Sequence, residues 1–348
     1  MHIVYIDTVI FDLQHAGGIS VYWYEIIKRM LADESVDPYF LVSDTPKNNL
    51  YWDKLTLPEN KIVRCNTNRY RAVNYKEQRD HVFISSYYRY SVNKNAYNVT
   101  VVHDFTYELY AHGLRKWVHH WQKSKAVKKS QQVICISQNT QKDMHRFCKC
   151  KCPSSVVYNG VSDAYKVLTE EELKERLIAF QNSERDIIEN KPFVLWVGGR
   201  AGYKNWKSGV ALFKTLPQEY YMISVGGGKP TDEEKQLLGE WENRHIWLSA
   251  VDEDKLCVLY NKAYCLLYLS EYEGFGLPVA EAQQCGCPVV ALNRSSLPEI
   301  AVNSCLVHLF VDTPAVLPIL QHDISEYRFC WEQTYAGIKK FLKLGEDI

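Results

Sequence analysis

Residues 270–282 read Ser-Glu-Tyr-Glu-Gly-Phe-Gly-Leu-Pro-Val-Ala-Glu-Ala, and the apolar run Cys265-Leu-Leu-Tyr-Leu269 precedes them. That run has the length and composition of a buried strand. Pro278 suits the first position of a helix, and Gly286 suits its end. The unit is therefore strand, glycine-bearing loop, short helix. Gly274 and Gly276 let the backbone approach a ligand closely, and amides at a helix start attract phosphate. Glu273 and Glu281 stand eight positions apart, and carboxylates accept hydrogen bonds from hydroxyls. A ligand with phosphates and many hydroxyls, such as a nucleotide sugar, fits this chemistry. The residues alone also admit a plainer reading, a connecting loop with Glu281 favouring the helix dipole from the first turn.

The same strand-to-helix alternation extends in both directions. Strands are expected at 2–8, 38–43, 61–65, 82–85, 99–103, 132–137 and 155–158, then at 193–197, 221–225, 246–248, 265–269 and 288–292. Such alternation predicts an α/β chain of two doubly wound parallel sheets. The first helix is expected over Ile19–Ala32. The charged segment 167–190 is expected as a polar helix linking the halves, so the domains run 1–166 and 191–325. The rhythm of Phe329, Tyr335, Ile338 and Phe341 predicts a closing helix within 326–348 that packs back on the first domain. Two open sheets imply a cleft, with ligands beyond the carboxyl ends of the strands. Gly17-Gly18, His103-Asp104, Gly198-Gly199-Arg200 and Gly226-Gly227-Gly228 fall at such ends.

Composition narrows the function. A chain of 348 residues that is 46% apolar can build two cores, and zero net charge gives no electrostatic case for nucleic acid. Met1–Asp7 begins at once as a strand without a basic leader, and no apolar run approaches a membrane span. The 11 cysteines, scattered through strands and helices, suit reduced thiols in a cytoplasm. Cys148, Cys150 and Cys152 alternate, but the two-residue spacer and matching second pair of a zinc site are missing. No bound metal is expected. Cys285 and Cys287 read as small packing residues.

Three further constellations carry chemistry. Val197-Gly-Gly-Arg-Ala-Gly-Tyr-Lys-Asn205 sets two cations, Arg200 and Lys204, in a short loop between strand and helix, as a diphosphate site requires. His103 follows an apolar strand and admits three readings: a base, a hydrogen bonder to sugar, or a satisfied core histidine. Residues 109–142 contain no acidic residue, and 115–129 interleave Arg115, Lys116, Lys123, Lys125, Lys128 and Lys129 with Trp117 and Trp121. A basic aromatic helix of this kind suits an anionic membrane surface. The alternative is a solvated basic face with both tryptophans packed inward.

Taken together, these residues resemble the retaining glycosyltransferases of glycosyltransferase family 4. Glu273-Gly-Phe-Gly-Leu-Pro-Val-Ala-Glu281 is similar to the family's two glutamates with seven residues between. Asn293–Ile300, Ala16-Gly-Gly-Ile-Ser20, Val102-His-Asp104, Val133–Thr140, Gly202-Tyr-Lys-Asn205 and Phe329-Cys-Trp331 resemble further family segments, so the likeness spans nearly the whole chain. It implies the two-domain GT-B fold and sugar transfer with retention, without metal or cofactor, the nucleotide sugar being a co-substrate. Glu281 would hold ribose hydroxyls and Glu273 would contact the donor sugar. Backbone at Phe275, Gly276 and Leu277 would meet sugar and phosphate. Arg200 and Lys204 would bind the diphosphate, His103 would touch the sugar, and Gly17 and Gly18 would allow close approach. Two departures stand out. Arg200 and Lys204 are more closely spaced than in many relatives, and Ala250 stands where relatives often have glycine near the base.

The expected function is hexosyl transfer from GDP-mannose or a UDP-hexose to a glycan or lipid-linked saccharide acceptor. The expected setting is bacterial surface polysaccharide (O-antigen or capsule type) synthesis in the cytoplasm, with peripheral contact at the inner membrane through 115–129. The alternatives are a nucleotide-sugar epimerase of the same fold, which needs no acceptor, and a non-catalytic glycan- or nucleotide-binding subunit. A phosphorylase would need a cofactor lysine and a longer chain.

Overall fold

The computed structural model describes residues 1–45, 47–65, 68–200, 202–249, 251–302, 305–307 and 329–342. The chain forms two compact units. Met1–Gly160 and Phe329–Ile348 make the first, and Val161–Arg328 make the second.

The first unit contains strands β1 (His2–Asp7), β2 (Val36–Val42), β3 (Ile62–Arg64), β4 (His81–Ser85), β5 (Ala96–Val102), β6 (Gln132–Cys135) and β7 (Ser154–Val156). They lie in the order β3-β2-β1-β4-β5-β6-β7, and every described pairing is parallel. The second contains β8 (Phe193–Val197), β9 (Tyr221–Val225), β10 (His245–Leu248), β11 (Cys265–Tyr268), β12 (Val289–Leu292) and β13 (Cys305–Val307). Their order is β10-β9-β8-β11-β12-β13, again parallel. Each of the twelve anticipated strands is present, and β13 is an addition. Runs such as Phe193–Trp196 and Cys265–Tyr268 are buried along their whole length. Parallel sheets covered on both faces require such runs.

Strand order reverses between β1 and β4 and between β8 and β11. Loops leaving the carboxyl ends of two strands at a reversal diverge to opposite faces, which leaves a crevice where ligands sit. The loop carrying Lys204 follows β8, and the loop carrying Glu273 follows β11. These motifs therefore meet at the reversal of the second sheet.

Two boundary expectations are corrected. The division falls at Gly160–Val161, not at 166–167. The charged segment 167–190 forms two helices inside the second unit, Glu170–Leu177 and Asn182–Asn190. Thr169 and Gln181 open them with capping boxes to Glu172 and Glu184, which start a second helix where one continuous helix was expected. Leu177, Phe180 and Ile188 are buried, and Arg176 pairs with Asp254 at 2.9 Å, so the segment is anchored rather than linking.

The first helix runs Gly18–Leu31. The closing helix runs Trp331–Lys339 within the first unit. Its Thr334 hydroxyl donates to the Tyr158 carbonyl at 2.8 Å, and its Tyr335 hydroxyl donates to Asp33 at 2.8 Å. A Cβ at Gly160 would stand 2.4 Å from the Trp331 amide nitrogen, so only glycine fits beneath this helix. Residues 326–328 and 343–348 of the expected closing segment lie outside the described residues, as does Ala250.

Candidate functional site

The loop after β11 is built as its sequence implies. The helix Leu277–Gln284 begins with Pro278 in its first turn. Gly276 before it adopts φ +108, in the region that favours glycine, and a Cβ there would come 3.0 Å from Leu297. Leu277 is the first helical residue, and the Phe275 side chain is buried. The loop after β12 braces this turn. Ser295 adopts φ +57 and exchanges hydrogen bonds with the Glu273 backbone, donating to its carbonyl at 2.7 Å and accepting from its amide at 3.1 Å. The Ser296 hydroxyl donates to the Phe275 carbonyl at 2.8 Å. Strain at Ser295 thus coincides with a fixed Glu273.

Glu273 reaches Lys204. The lysine ammonium donates to Glu273 Oε1 at 2.7 Å, and the buried Tyr268 hydroxyl donates to the same oxygen at 2.8 Å. The Glu271 amide donates to the Tyr203 carbonyl at 2.8 Å, so the two loops are stitched by backbone as well. Burial, followed by the nearby Glu273 charge, drives the Tyr268 phenol far above its ordinary pKa, so it remains a donor.

Arg200 lies one turn earlier and is differently placed. Its side chain is buried and every guanidinium nitrogen is engaged. Nε meets Glu234 at 2.9 Å, Nη1 meets the Gly226 carbonyl, and Nη2 lies 3.1–3.2 Å from the carbonyls of Gly227, Gly228 and Lys229. The Trp247 ring stacks 4.8 Å from its centre. Gly226, Gly227 and Gly228 adopt φ +86, +77 and +74. Three successive left-handed residues turn their carbonyls inward, and a Cβ on Gly227 would stand 2.6 Å from Nη1. The glycine-rich turn after β9 therefore embraces an arginine. A diphosphate role for Arg200 requires these contacts to be exchanged. For Glu234, burial opposes ionisation, but the Arg200 contact and the Thr231 amide outweigh it and hold the carboxyl below its usual range. A cavity of about 750 Å³ opens beside Arg200, walled by Asn205, Thr231 and Glu233. Neither Glu273 nor Glu281 lines it.

Glu281 sits on the helix Leu277–Gln284 and accepts from the Tyr260 hydroxyl at 3.0 Å. Burial pushes its carboxyl up to about 7, which the tyrosine bond only partly offsets. Lys204, Glu273 and Glu281 thus share the β11 end of the second unit.

Gly17, Gly18 and His103 belong to the first unit. Gly17 precedes the helix Gly18–Leu31, with the Gln14 side chain 2.9 Å from where a Cβ would lie. His103 follows β5 and is buried; its ring and that of Tyr22 pack at right angles with centroids 4.9 Å apart. Burial lowers its pKa to about 4, and its buried Nε2 has no protein partner. A satisfied core histidine would have one.

The basic aromatic helix runs Gly113–Lys129. Trp117 and Trp121 are 71% and 50% exposed, and Leu114 is 80% exposed, so the inward-packed alternative does not hold. Lys123 instead is buried against Glu108 at 2.8 Å. Among the described residues no helix is long and apolar enough to cross a membrane, and no three metal-ligating side chains gather.

Sequence reasoning missed Tyr268 and Tyr260, which aim the two glutamates, and Glu234, which holds Arg200. Tyrosines within an apolar strand and an apolar helix read as core. Glu234 lies in an ordinary acidic first turn.

With this geometry in place, the fold is GT-B, two Rossmann-like parallel-sheet units. Among solved structures, sucrose-phosphate synthase from Thermosynechococcus elongatus superposes with TM-score 0.70 at 16% identity, covering 98% of each chain. Anabaena Alr3699/HepE in complex with UDP-glucose gives 0.67 at 15% identity, covering 98% of this chain and 99% of that one. WaaG, a glycosyltransferase involved in lipopolysaccharide biosynthesis, gives 0.59 at 14% identity, covering 98% and 90%. Residues 178–312, within the second unit, match the family model of glycosyl transferases group 1. The O-antigen chain mannosyltransferase B of Escherichia coli is 36% identical over 122 residues, 33% of this chain and 32% of that protein. The O-antigen chain mannosyltransferase RfbU of Salmonella typhimurium is 28% identical over 164 residues, 45% and 46% of the two. The chain thus spans about a third of the first of these curated relatives and just under half of the second.

Proposed function

We propose that this chain is a retaining glycosyltransferase of glycosyltransferase family 4, moving a hexosyl group from a nucleoside diphosphate sugar to a glycan or lipid-linked saccharide. The carrying observation is the Lys204–Glu273 pair at the β8–β11 reversal, with Glu281 on the adjoining helix. Glu273 and Glu281 supply acceptors for sugar and ribose hydroxyls, and the Gly276 turn brings backbone to the diphosphate. Lys204 takes the charge that grows on the departing diphosphate, a preorganised electrostatic role that needs no metal. In this reading the bond from the sugar carbon to the phosphate oxygen breaks as the bond to the acceptor oxygen forms. The acceptor proton passes to the leaving phosphate on the same face. Neither glutamate bonds to carbon. Arg200 keeps the glycine turn in place and supports the loop that carries Lys204. Gly17, Gly18 and His103 are the first unit's own substrate-contacting residues.

The names of the relatives favour mannose as the sugar and O-antigen synthesis as the setting. GDP-mannose is the leading donor in this proposal and UDP-hexoses are the second. The exposed face of the helix Gly113–Lys129 rests on the anionic inner leaflet of the cytoplasmic membrane, where a lipid-linked acceptor would be found.

A thermal-shift panel of nucleotides and nucleotide sugars tests the donor, since a ligand that binds only the folded chain raises its melting temperature. GDP and GDP-mannose are expected to give the largest rise, and Glu281→Ala to abolish it. A panel in which no nucleotide or nucleotide sugar moves the melting temperature removes the proposal.

A further inference from the structure

We propose that the first unit holds a binding site for a neutral saccharide in the cavity at the carboxyl ends of β2 and β3. The cavity measures about 440 Å³ and lies at the outer-edge strands β2 and β3 of the sheet. Its walls combine the Trp52 indole with Leu55, Leu57 and Ile62. Its floor is polar: Lys47 pairs with Asp12 and donates to the Ser43 hydroxyl at 2.6 Å, which in turn donates to Asp12 at 3.0 Å. These contacts occupy two of the three ammonium donors. At the rim stand Arg64 and Asp44, 62% and 86% exposed in their side chains and 4.0 Å apart.

Trp52 is held in place beforehand. Buried Asn49 donates to the Gln14 carbonyl at 2.7 Å and accepts from the amides of Tyr51 and Trp52 at 2.9 and 3.2 Å. The Lys47 ammonium lies 5.2 Å from the Trp52 ring centre. Each cation of the lining already has a carboxylate beside it, Lys47 with Asp12 behind the wall and Arg64 with Asp44 at the rim, so neither is left to recruit an anion. An aromatic and aliphatic wall facing fixed donors and acceptors matches a pyranose, which has apolar ring faces and a hydroxylated edge. The choice of saccharide rests on the transfer reading above; the amphipathic, neutral character of the cavity does not.

The test uses the full chain and saturation-transfer NMR with methyl α-mannoside, methyl α-glucoside and short mannose oligosaccharides. At least one is expected to bind, with affinity weakened tenfold or more in Trp52→Ala and in Arg64→Gln. Arg64 is exposed, so its variant folds even where Trp52→Ala does not. Nucleotide-induced thermal shifts are expected to stay unchanged in both, which separates this site from the donor site. Binding that survives both substitutions, equal competition by inorganic phosphate, or no saccharide bound by a chain that still binds nucleotide would each overturn the proposal. Loss of nucleotide binding alone would leave it standing and sink the donor reading.

Discussion

The ammonium of Lys204 lies 2.7 Å from Glu273 Oε1, and Tyr268 donates to the same oxygen at 2.8 Å. Lys204 comes from the loop after β8 and Glu273 from the loop after β11, so the pair closes the reversal of the second sheet. In the proposed function this ammonium turns from Glu273 to the donor diphosphate. Lys204→Met is expected to lower kcat by about a hundredfold, the cost typical of removing one preorganised charge stabiliser. Nucleotide affinity should fall much less, because the ribose contact proposed for Glu281 remains. Steady-state kinetics with the donor identified by thermal shift separates the two effects. An unchanged kcat would exclude Lys204 from the chemistry.

The cage around Arg200 carries a second prediction. A buried, paired guanidinium stripped of its partners, or replaced, leaves several carbonyls and Glu234 unsatisfied. Arg200→Lys can reach at most part of the set, because an ammonium lacks the planar fork. It is expected to destabilise the second unit by about 3 kcal/mol, the lower end for breaking a buried pair. Gly227→Ala is expected to do the same by another route, since φ +77 and a 2.6 Å approach to Nη1 both oppose a Cβ. Urea unfolding measures both. If Arg200→Lys unfolds like the parent yet loses catalysis, the arginine acts on substrate and not on the turn.

The β11 motif was legible because a strand, two glycines, a proline and two glutamates each have a local cause. Pro278, Gly276 and Gly286 fall where their backbone chemistry requires. Lys204 and Glu273 were named separately, but their salt bridge depends on strand order, which residue spacing leaves open. Arg200 was recognised as a cation at a strand end. Its partners are carbonyls of a turn from another strand, and carbonyls have no signature in sequence. The helices at 170–177 and 182–190 were read as one because charge patterning conceals caps. Trp117 and Trp121 were left between two readings, since a tryptophan spaced four residues from another can face either way. Packing against Tyr88, Phe105 and Glu108 brings Lys123 inward instead.

Glu281 titrates near neutrality, which gives a pH dependence with a definite sign. Its carboxyl is raised from 4.5 to about 7 by burial. Below that value it is protonated and a weaker acceptor; above it, the carboxylate is able to accept the charge-assisted bonds from ribose hydroxyls that the proposed function assigns to it. Nucleotide affinity is expected to rise as pH increases through 7 and to level off above 8. Glu281→Gln should bind weakly with a flat profile. Stability runs the other way. Between pH 4.5 and 7 the folded state binds the proton more tightly, so this group's contribution declines as pH rises. Isothermal titration at several pH values checks the first statement, and a profile unaffected by Glu281→Gln would refute it.

His103 and His245 are expected to contribute to a loss of stability in acid. Burial lowers them from 6.5 to about 4 and about 3, with Arg200 adding to the effect at His245. The unfolded chain takes up protons from pH 6.5 downward that the folded chain refuses, so stability falls across that window. A fully buried histidine shifted this far costs about 3 kcal/mol once pH drops below its folded value. His245→Gln is expected to flatten part of the decline in melting temperature between pH 7 and 4.5. His103→Gln should do likewise while lowering activity at pH 7, where His103 is already neutral. An acid profile identical to the parent in both variants would mean that other groups set it.

The helix Gly113–Lys129 supplies the last prediction. Leu114, Trp117 and Trp121 recur at spacings of three and four and are all well exposed, with Arg115, Lys116, Lys128 and Lys129 exposed beside them. Large apolar side chains in water, ringed by cations, gain on both counts at an anionic bilayer: the rings settle at the headgroup level and each cation contributes about 1 kcal/mol at the surface. Lys123 and Glu108 are buried together beneath this face, so substitutions on its outer side leave the packing intact. Flotation with vesicles rich in phosphatidylglycerol is expected to recover the chain at 50 mM salt and to lose it progressively as salt screens the charges. Replacing Trp117 and Trp121 together by serine should weaken recovery at every salt concentration, whereas Lys128→Gln with Lys129→Gln should lower recovery at low salt and make what remains less sensitive to added salt. Recovery from purely zwitterionic vesicles equal to that from anionic ones would show that the cations are a solvated face without a membrane role.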